Sequence, residues 1–336
     1  MIVKLVLKDC GTGAGGFQPG NTCASGGGGS GGGGGTGGSG DSQSRISAAS
    51  NPHTSPDTLV ELSKDESVFV RIGVAKNPKT PPDTLAAMSK DVGVDVRRGV
   101  ADNPNTPQAT LAALSKDGVG WVRSDVASNP STPQRTLVAM SKDKDWYMRY
   151  SAARNPSVSP ATLAVLARDR DSDVRQAVAR NSSTPAAALT ALSKDVHGDV
   201  RGTVARNPKT PSATLTELSK DENGWVRFNT ADNRNTPVAT LVELSKDKSW
   251  SVRAAVVRHP STSPDTLAEL SKDEDEHVRR NLARNPNTPS ATLTELSKDE
   301  YVGVRGEVAL NPKTPPATLA ELRNDENYDV RRAARR

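Results

Sequence analysis

NPKTPPDTLAAMSKDVGVDVRRGVAD, residues 77–102, is one period of a repeat that decides how this chain folds. The opening Asn-Pro pair returns every 26 residues from Asn51 to Asn311, with His259 in place of Asn once. Eleven such units tile residues 51–336 without gap or insertion. A fixed period of this length is typical of a solenoid, in which each unit packs mainly on its neighbours.

Numbering each unit from 1 at the Asn shows which positions the fold requires. Position 9 is Leu in every unit, position 12 is Leu or Met, position 20 is Val or Met, and position 24 is mostly Val. Position 15 is always Asp and position 21 is always Arg. The apolar spacing predicts two short helices per unit, helix A burying positions 9 and 12 and helix B burying positions 20 and 24.

Residues between the apolar positions predict where each helix begins and ends. Thr at position 4, as in Thr54 and Thr80, is the expected N-cap of helix A, followed by Pro in the first turn. Asp at position 15 is the expected cap of helix B, where its charge also suits the helix dipole. The next Asn-Pro pair should end helix B, because Asn tolerates the left-handed conformation and Pro cannot continue a helix.

The constant Asp and Arg positions are interpreted as a structural ladder of caps and ion pairs, formed within or between units. A stripe of Arg side chains for phosphates is the alternative, which an equal number of Asp residues disfavours. Representative members are Asp65, Asp91, Asp195, Arg71, Arg97 and Arg201.

The whole pattern, NPxTPxxTLxxLSKDxxxxVRxxVAx, resembles the leucine-rich repeat variant family of all-helical bacterial solenoids. The strand with L-x-L spacing that ordinary leucine-rich repeats need is missing from this pattern. The resemblance implies a right-handed α-solenoid of short helices, one class of them 3₁₀, and no fixed activity. The family is also associated with an N-terminal iron–sulfur segment, but the two cysteines here, Cys10 and Cys23, cannot supply four ligands.

The first fifty residues do not follow the period. Residues 1–23 are expected to form a short segment with a strand and a glycine-rich loop, residues 24–40 a flexible Gly/Ser linker, and residues 41–50 a half-repeat cap with Arg45 at the constant Arg position. The loop contains G-x-G-x-x-G, but no helix is predicted after it, so nucleotide binding is not expected. The two cysteines could form a disulfide, share a metal with another chain, or be ordinary thiols.

Composition argues against several function classes. Charged residues of both signs are interleaved, and the net charge is +5. No apolar stretch approaches the ~20 residues of a membrane span, and the short opening MIVKLVL does not match a secretory signal, so a cytoplasmic protein is expected. The four histidines are scattered, and no nucleophile or metal motif occurs. We therefore expect no enzyme activity, cofactor or metal.

Ten of the eleven aromatic residues occupy positions 17–22 of some unit. They do not recur from unit to unit, so the fold does not require them. Positions 19, 22 and 26 are expected on the face of helix B opposite the core. The sequence thus predicts a binding scaffold for a protein or peptide, with local packing over the turn as the alternative role of each aromatic. The candidate binding residues are Trp121, Trp146, Tyr147, Tyr150, Trp225, Phe228 and Trp250.

A second function, nucleic-acid binding, is kept as an alternative. Position 26 carries an Arg in five of the first ten units and again in the last unit, and aromatic side chains near the first five could stack on bases while these cations follow a phosphate backbone. The five are Arg154, Arg180, Arg206, Arg258 and Arg284. The sequence specifies neither the ligand nor an oligomeric state.

Overall fold

The computed structural model describes residues 39–335, with side chains from residue 41, and these residues form twenty-three α-helices and no strand. Helix α1 spans Ser39–Ser50, so it begins two residues before the predicted cap. Each 26-residue unit then adds one A helix and one B helix, which confirms the all-α solenoid of eleven two-helix repeats. The expectations for residues 1–23, for both cysteines and for most of the linker lie outside the described residues.

The A helices carry even numbers and are seven residues long: α2 Pro56–Leu62, α4 Pro82–Met88, α6 Gln108–Leu114, α8 Gln134–Met140, α10 Pro160–Leu166, α12 Ala186–Leu192, α14 Ser212–Leu218, α16 Val238–Leu244, α18 Pro264–Leu270, α20 Ser290–Leu296 and α22 Pro316–Leu322. The B helices carry odd numbers and are nine residues long except the last: α3 Val68–Lys76, α5 Val94–Asp102, α7 Gly120–Ser128, α9 Trp146–Arg154, α11 Ser172–Arg180, α13 Gly198–Arg206, α15 Gly224–Asp232, α17 Trp250–Arg258, α19 Glu276–Arg284, α21 Val302–Leu310 and α23 Tyr328–Ala333. In the described part both classes are α-helices, so the expectation of a 3₁₀ class is wrong.

The core lies between the layer of A helices and the layer of B helices. Ten of the eleven position-9 leucines, such as Leu59 and Leu163, are fully buried, together with the valines at positions 20 and 24. The exception is Leu319 in the last repeat, which is half-buried. Consecutive B helices pack directly against one another, as α3 does against α5, while each A helix contacts mainly B helices. Burying one such leucine stabilises the fold by about 2 kcal/mol relative to leaving it exposed. No described helix combines the length and the apolar character that crossing a bilayer needs.

The start of helix A differs from the sequence prediction. The N-cap is position 5, which is Pro in most repeats and Ser in three; Ser159, for example, accepts the backbone N–H of Thr162. Thr at position 4 is a donor instead: the Thr80 hydroxyl donates to the Val74 carbonyl at 2.5 Å. The Val74 carbonyl lies in the last turn of α3, so this hydrogen bond links the end of one helix B to the beginning of the next helix A.

The Asn at position 1 forms a buried ladder along the array. The side-chain amide of Asn155 donates to the carbonyl of Asn129 in the preceding repeat at 2.9 Å, and to that of Ala127 at the end of the repeat before it at 2.7 Å. Its side-chain oxygen accepts the backbone N–H of Ser157 at 2.8 Å. The expected left-handed conformation is wrong, because Asn155 is extended, with φ −62° and ψ 127°. Asn is required here for its two donors and one acceptor rather than for its backbone freedom.

His259 takes the place of Asn in this ladder and reproduces most of its bonds. Nε2 lies 3.0 Å from the carbonyl oxygen of Asn233, and Nδ1 accepts the backbone N–H of Ser261 at 3.1 Å. These partners require the neutral tautomer with the proton on Nε2. Burial lowers the pKa of His259, although the hydrogen bond to Asn233 acts in the opposite direction. The ring therefore resists protonation in the folded array.

The Asp and Arg positions form a second ladder between repeats. Arg175 Nε lies 2.5 Å from Asp195 Oδ2 in the next repeat, and Nη2 lies 3.0 Å from Oδ1. Arg175 Nη1 also donates to the carbonyl of Asp169 in its own repeat. Because these guanidinium groups are largely buried and bonded to Asp, they do not form a stripe for phosphates. The predicted ladder members Asp91, Arg71, Arg97 and Arg201 form the same bonds.

The sequence predicts Asp at position 15 as the N-cap of helix B, but the structure shows that it is not the cap. Helix B begins at position 18, and Asp195 Oδ1 accepts the backbone N–H of His197, which is itself the N-cap residue. The carboxylate therefore closes the turn before the helix. Burial alone would raise the pKa of Asp195, but the hydrogen bonds from Arg175 and from the His197 backbone hold it below its ordinary value.

Helix α1 supplies the first member of this ladder. Arg45 Nε donates to Asp65 Oδ2 at 2.7 Å, as the Arg of a full repeat does to the next Asp. At one junction of the described residues, between repeats three and four, the pair does not form: Arg123 donates to the carbonyl of Asp117 and makes no bond to Asp143. Aromatic side chains cross between the two repeats at this junction.

Candidate binding surface on the B helices

All four tryptophans are exposed, and all lie in the first turn of a B helix. Trp121 and Trp225 occupy position 19, and Trp146 and Trp250 occupy position 18. Between 42% and 62% of each side chain is accessible to solvent. Positions 20 and 24 point into the core, so the helix geometry turns positions 18 and 19 away from it. The core of the described residues is thus built without tryptophan.

The first predicted aromatic group forms one connected cluster across repeats three and four. Tyr147 makes edge-to-face contacts with Trp121 and Trp146, at centroid separations of 6.0 and 5.7 Å, and stacks on Tyr150 at 6.0 Å. The two tryptophans are exposed, whereas both tyrosines are half-buried and pack against the core. Such ring pairs contribute about 0.5–1.5 kcal/mol each beyond their burial, so this cluster presents a pre-ordered apolar surface.

The second predicted group is not a cluster. Trp225, Phe228 and Trp250 make no ring contact with one another within the described residues. Phe228 is half-buried against the core, and the guanidinium of Arg258 lies 6.0 Å from its ring centroid. Trp250 instead stacks on His277 of the next repeat, at 5.0 Å. His277 was not among the predicted residues, although its place at position 19 was the available signal.

Position 22 also differs from expectation, because nine of its eleven residues are partly or fully buried rather than exposed, the exceptions being Arg280 and Arg332. At two junctions of the described residues, position 22 of one repeat contacts position 19 of the next, and at each a large side chain faces a glycine. Trp225 covers Gly202, where an added Cβ would lie 1.8 Å from the Trp225 ring. Where position 19 is Gly303, the space is taken by the Arg280 side chain. Gly202 is therefore a site residue that the sequence analysis missed.

Gly202→Ala is expected to destabilise the array by about 1–2 kcal/mol, because the new methyl group displaces the Trp225 ring. The matched control is Gly306→Ala at the same position of repeat ten, where an added Cβ meets nothing within 4 Å. There the loss of glycine from a helix should stabilise by about 0.5–1 kcal/mol. Urea unfolding measures both effects, and equal stabilisation by the two substitutions would show that Trp225 does not rest on Gly202.

The five Arg residues at position 26 are exposed, as expected, but their partners differ. Arg154 lies over the Tyr150 ring at 5.5 Å, and Arg258 lies over Phe228. Arg284 Nη2 is 2.5 Å from Glu307 Oε1. Arg180 and Arg206 form no ion pair within the described residues. These two line a groove of about 710 Å³ together with Trp225.

One group of potential metal ligands exists among the described residues, formed by Asp275, Glu276 and His277. Asp275 Oδ1 already accepts the backbone N–H of His277 as the N-cap of α19. The His277 ring is stacked on Trp250. Helix capping and ring stacking explain this arrangement without a metal.

Comparison with known proteins gives the same architecture. A family model described as "Leucine rich repeat variant" matches residues 250–275 and 276–300. A solved structure described as a leucine-rich repeat variant with a novel repetitive protein structural motif is 27% identical, with a TM-score of 0.50. That match covers 66% of this chain and 87% of the other. Residues 250–300 therefore resemble units of the leucine rich repeat variant family.

Weaker structural likenesses of this chain extend to other proteins. An engineered protein is 15% identical, with a TM-score of 0.37, and the match covers 88% of this chain and 97% of the other. An importin beta is 10% identical, with a TM-score of 0.33, covering 83% and 44% respectively. No curated protein sequence matches the chain significantly. The family units matched here begin at the first residue of a B helix, Trp250, rather than at the Asn-Pro pair.

Proposed function

We propose that this chain is a non-catalytic scaffold that binds a protein or peptide through the aromatic side chains of its B helices. The observation that carries the proposal is that every tryptophan is exposed on one layer, although the sequence contains only four. Tryptophan and tyrosine are the residues that most often anchor protein interfaces. A repeat solenoid suits this role, because it presents such anchors along one extended surface.

The anchors lie at two places along the array. Trp121 and Trp146 belong to repeats three and four, and Trp225 and Trp250 belong to repeats seven and eight. Packed helices are roughly 8–10 Å apart, so equivalent residues four repeats apart are separated by roughly 32–40 Å. Repeats five and six carry no aromatic residue. This separation favours an extended partner held at two points.

Nucleic-acid binding is less well supported by the same surface. Of the five position-26 arginines, two lie over aromatic rings and one is paired with Glu307. Asp173 and Asp199 are exposed at position 19 of repeats five and six, on the helices that carry Arg180 and Arg206. A phosphate backbone along these helices would lie near the position-19 aspartates, which repel it, as well as near the position-26 arginines, which attract it. We therefore favour a protein or peptide as the partner.

Trp121→Ala with Trp146→Ala, and Trp225→Ala with Trp250→Ala, should each weaken partner binding by about 2 kcal/mol, or about 30-fold. Unfolding in urea should change little, because these side chains are mostly exposed. Tyr150 and Phe228 are less suitable targets, since they pack against the core. The affinity is measured for a partner isolated with the wild-type chain, by calorimetry with each purified variant.

The matched controls are Phe69→Ala and Tyr328→Ala. Both side chains are exposed aromatics at positions 19 and 18, in the first and last repeats and away from the proposed anchors. They should leave the affinity unchanged. An affinity that survives both tryptophan doubles would contradict the proposal, and so would tight, steeply salt-dependent binding of generic DNA.

A further inference from the structure

The groove between the two aromatic regions has a definite chemical character. It is formed by three successive B helices, α11, α13 and α15, and its lining includes Gln176, Arg180, Thr203, Arg206, Asp199 and Trp225. The Trp225 ring forms an apolar wall, held against Gly202. Arg180 and Arg206 are exposed and have no ionic partner within the described residues. The groove thus combines one flat aromatic ring, two cations that form no ion pair within the described residues, and the carboxylate of Asp199.

The two cations are spaced by the repeat itself. Both occupy position 26, so they differ by one step of the B layer, which is about 8–10 Å for packed helices. A peptide in the polyproline II conformation has three residues per turn and a rise of about 3.1 Å per residue, which brings every third side chain to the same face about 9.3 Å apart. A β-strand does not match as well, because residues three apart in it point to opposite faces.

We propose that this groove binds an acidic, proline-rich peptide in the polyproline II conformation, with carboxylates three residues apart. The two carboxylates pair with Arg180 and Arg206, and a proline ring packs on Trp225, as aromatic residues do in other polyproline-binding grooves. Because Asp199 also lines the groove, the ligand must present its negative charges to the two arginines and leave Asp199 opposite a neutral residue. Carboxylates three residues apart can do this, whereas a nucleic acid carries a phosphate at every nucleotide. The inference rests on the proposed function, whose protein partner would carry such a segment.

The test uses the full chain and fluorescein-labelled synthetic peptides in an anisotropy titration up to about 1 mM peptide. The probe is PPEPPEPPEPP. One comparison peptide has the same composition with its three glutamates adjacent, PPPPEEEPPPP, and another has lysine in place of glutamate. The periodic acidic peptide should bind at least fivefold more tightly than the block peptide, and the lysine peptide should not bind. Binding should weaken as salt is added.

The double substitution Arg180→Gln with Arg206→Gln should lower the affinity for the periodic peptide by about tenfold, as expected for the loss of two exposed charge pairs. Arg135→Gln is the control, because Arg135 is exposed on the A helix α8. The variant with Arg180→Glu and Arg206→Glu should no longer bind the glutamate peptide and should bind the lysine peptide instead.

Three outcomes would overturn the inference: no binding of the periodic peptide, equal binding of the block peptide, or tighter binding of labelled oligothymidylate. None of these outcomes decides the proposed function, because that function is tested separately by the affinity of the two tryptophan double variants for the isolated partner.

Discussion

Asp195→Ala should lower the free energy of unfolding by about 3 kcal/mol. The substitution leaves the largely buried guanidinium of Arg175 without its carboxylate, and removing one member of a buried ion pair costs about 3–5 kcal/mol. It also removes the acceptor for the His197 backbone N–H. Urea unfolding followed by circular dichroism measures the loss.

The control is Asp199→Ala, four residues along the same repeat. The Asp199 side chain is exposed and makes no hydrogen bond within the described residues. Its removal should cost less than about 0.5 kcal/mol. If both variants unfold at the same urea concentration, the Asp–Arg ladder does not stabilise the array.

The pH dependence provides a second readout of the same substitution. The folded pKa of Asp195 is held below its unfolded value, so its contribution is present above the unfolded pKa of about 3.9. The contribution disappears as the pH falls through the folded pKa. The stability difference between wild type and Asp195→Ala should therefore be constant near neutral pH and shrink below about pH 4.

Asn155→Ala should cost about 3 kcal/mol as well. Asn155 is 1% exposed, and its side chain satisfies two buried carbonyls and one backbone N–H. A buried polar group left without a partner costs about 1–3 kcal/mol, and three such groups lose theirs here. Since water can reach part of the resulting space, the effect should fall well short of the sum. Urea unfolding again measures it.

Asn105→Ala is the control for this ladder. Asn105 is exposed at position 3, and its single side-chain donation, to the carbonyl of Pro78, lies at the surface. A loss of well under 1 kcal/mol is expected there. The ladder interpretation would be wrong if Asn155→Ala proved no more damaging than this surface substitution.

The architecture followed from the sequence because its signal is repeated eleven times. Constant leucines at position 9 and valines at position 20 identify the buried sides of both helices without knowledge of any partner. The roles of the constant polar residues were harder to predict, because a constant residue shows that the fold needs it but does not show which repeat contains its hydrogen-bond partner. Thr80 proved to be a donor to the preceding helix rather than an N-cap acceptor, and Asn155 proved to be extended rather than left-handed.

The binding surface was only partly predictable for the same reason. The exposure of Trp121 and Trp146 follows from their positions on one helix turn. Contacts across repeats, such as Trp250 with His277 or Trp225 over Gly202, join positions that lie 27 and 23 residues apart. No periodicity within a single helix indicates them. The size relation between positions 19 and 22 becomes visible only when the B helices are seen side by side.

The bonds of the two ladders have a consequence for how such a chain changes during evolution. They span 20, 26 or 28 residues, so no bond reaches beyond the second repeat along the chain. Because these residues recur at the same positions of the unit, duplication or loss of one whole unit allows each ladder bond to form again with the new neighbours. No donor or acceptor of the ladders is then left without a partner. The number of units between Trp146 and Trp225 then acts as a molecular ruler. Recombination that removed one unit would bring the two proposed anchoring regions about 9 Å closer while leaving each intact. Under the proposed function, the length of the partner could therefore evolve separately from the residues that contact it.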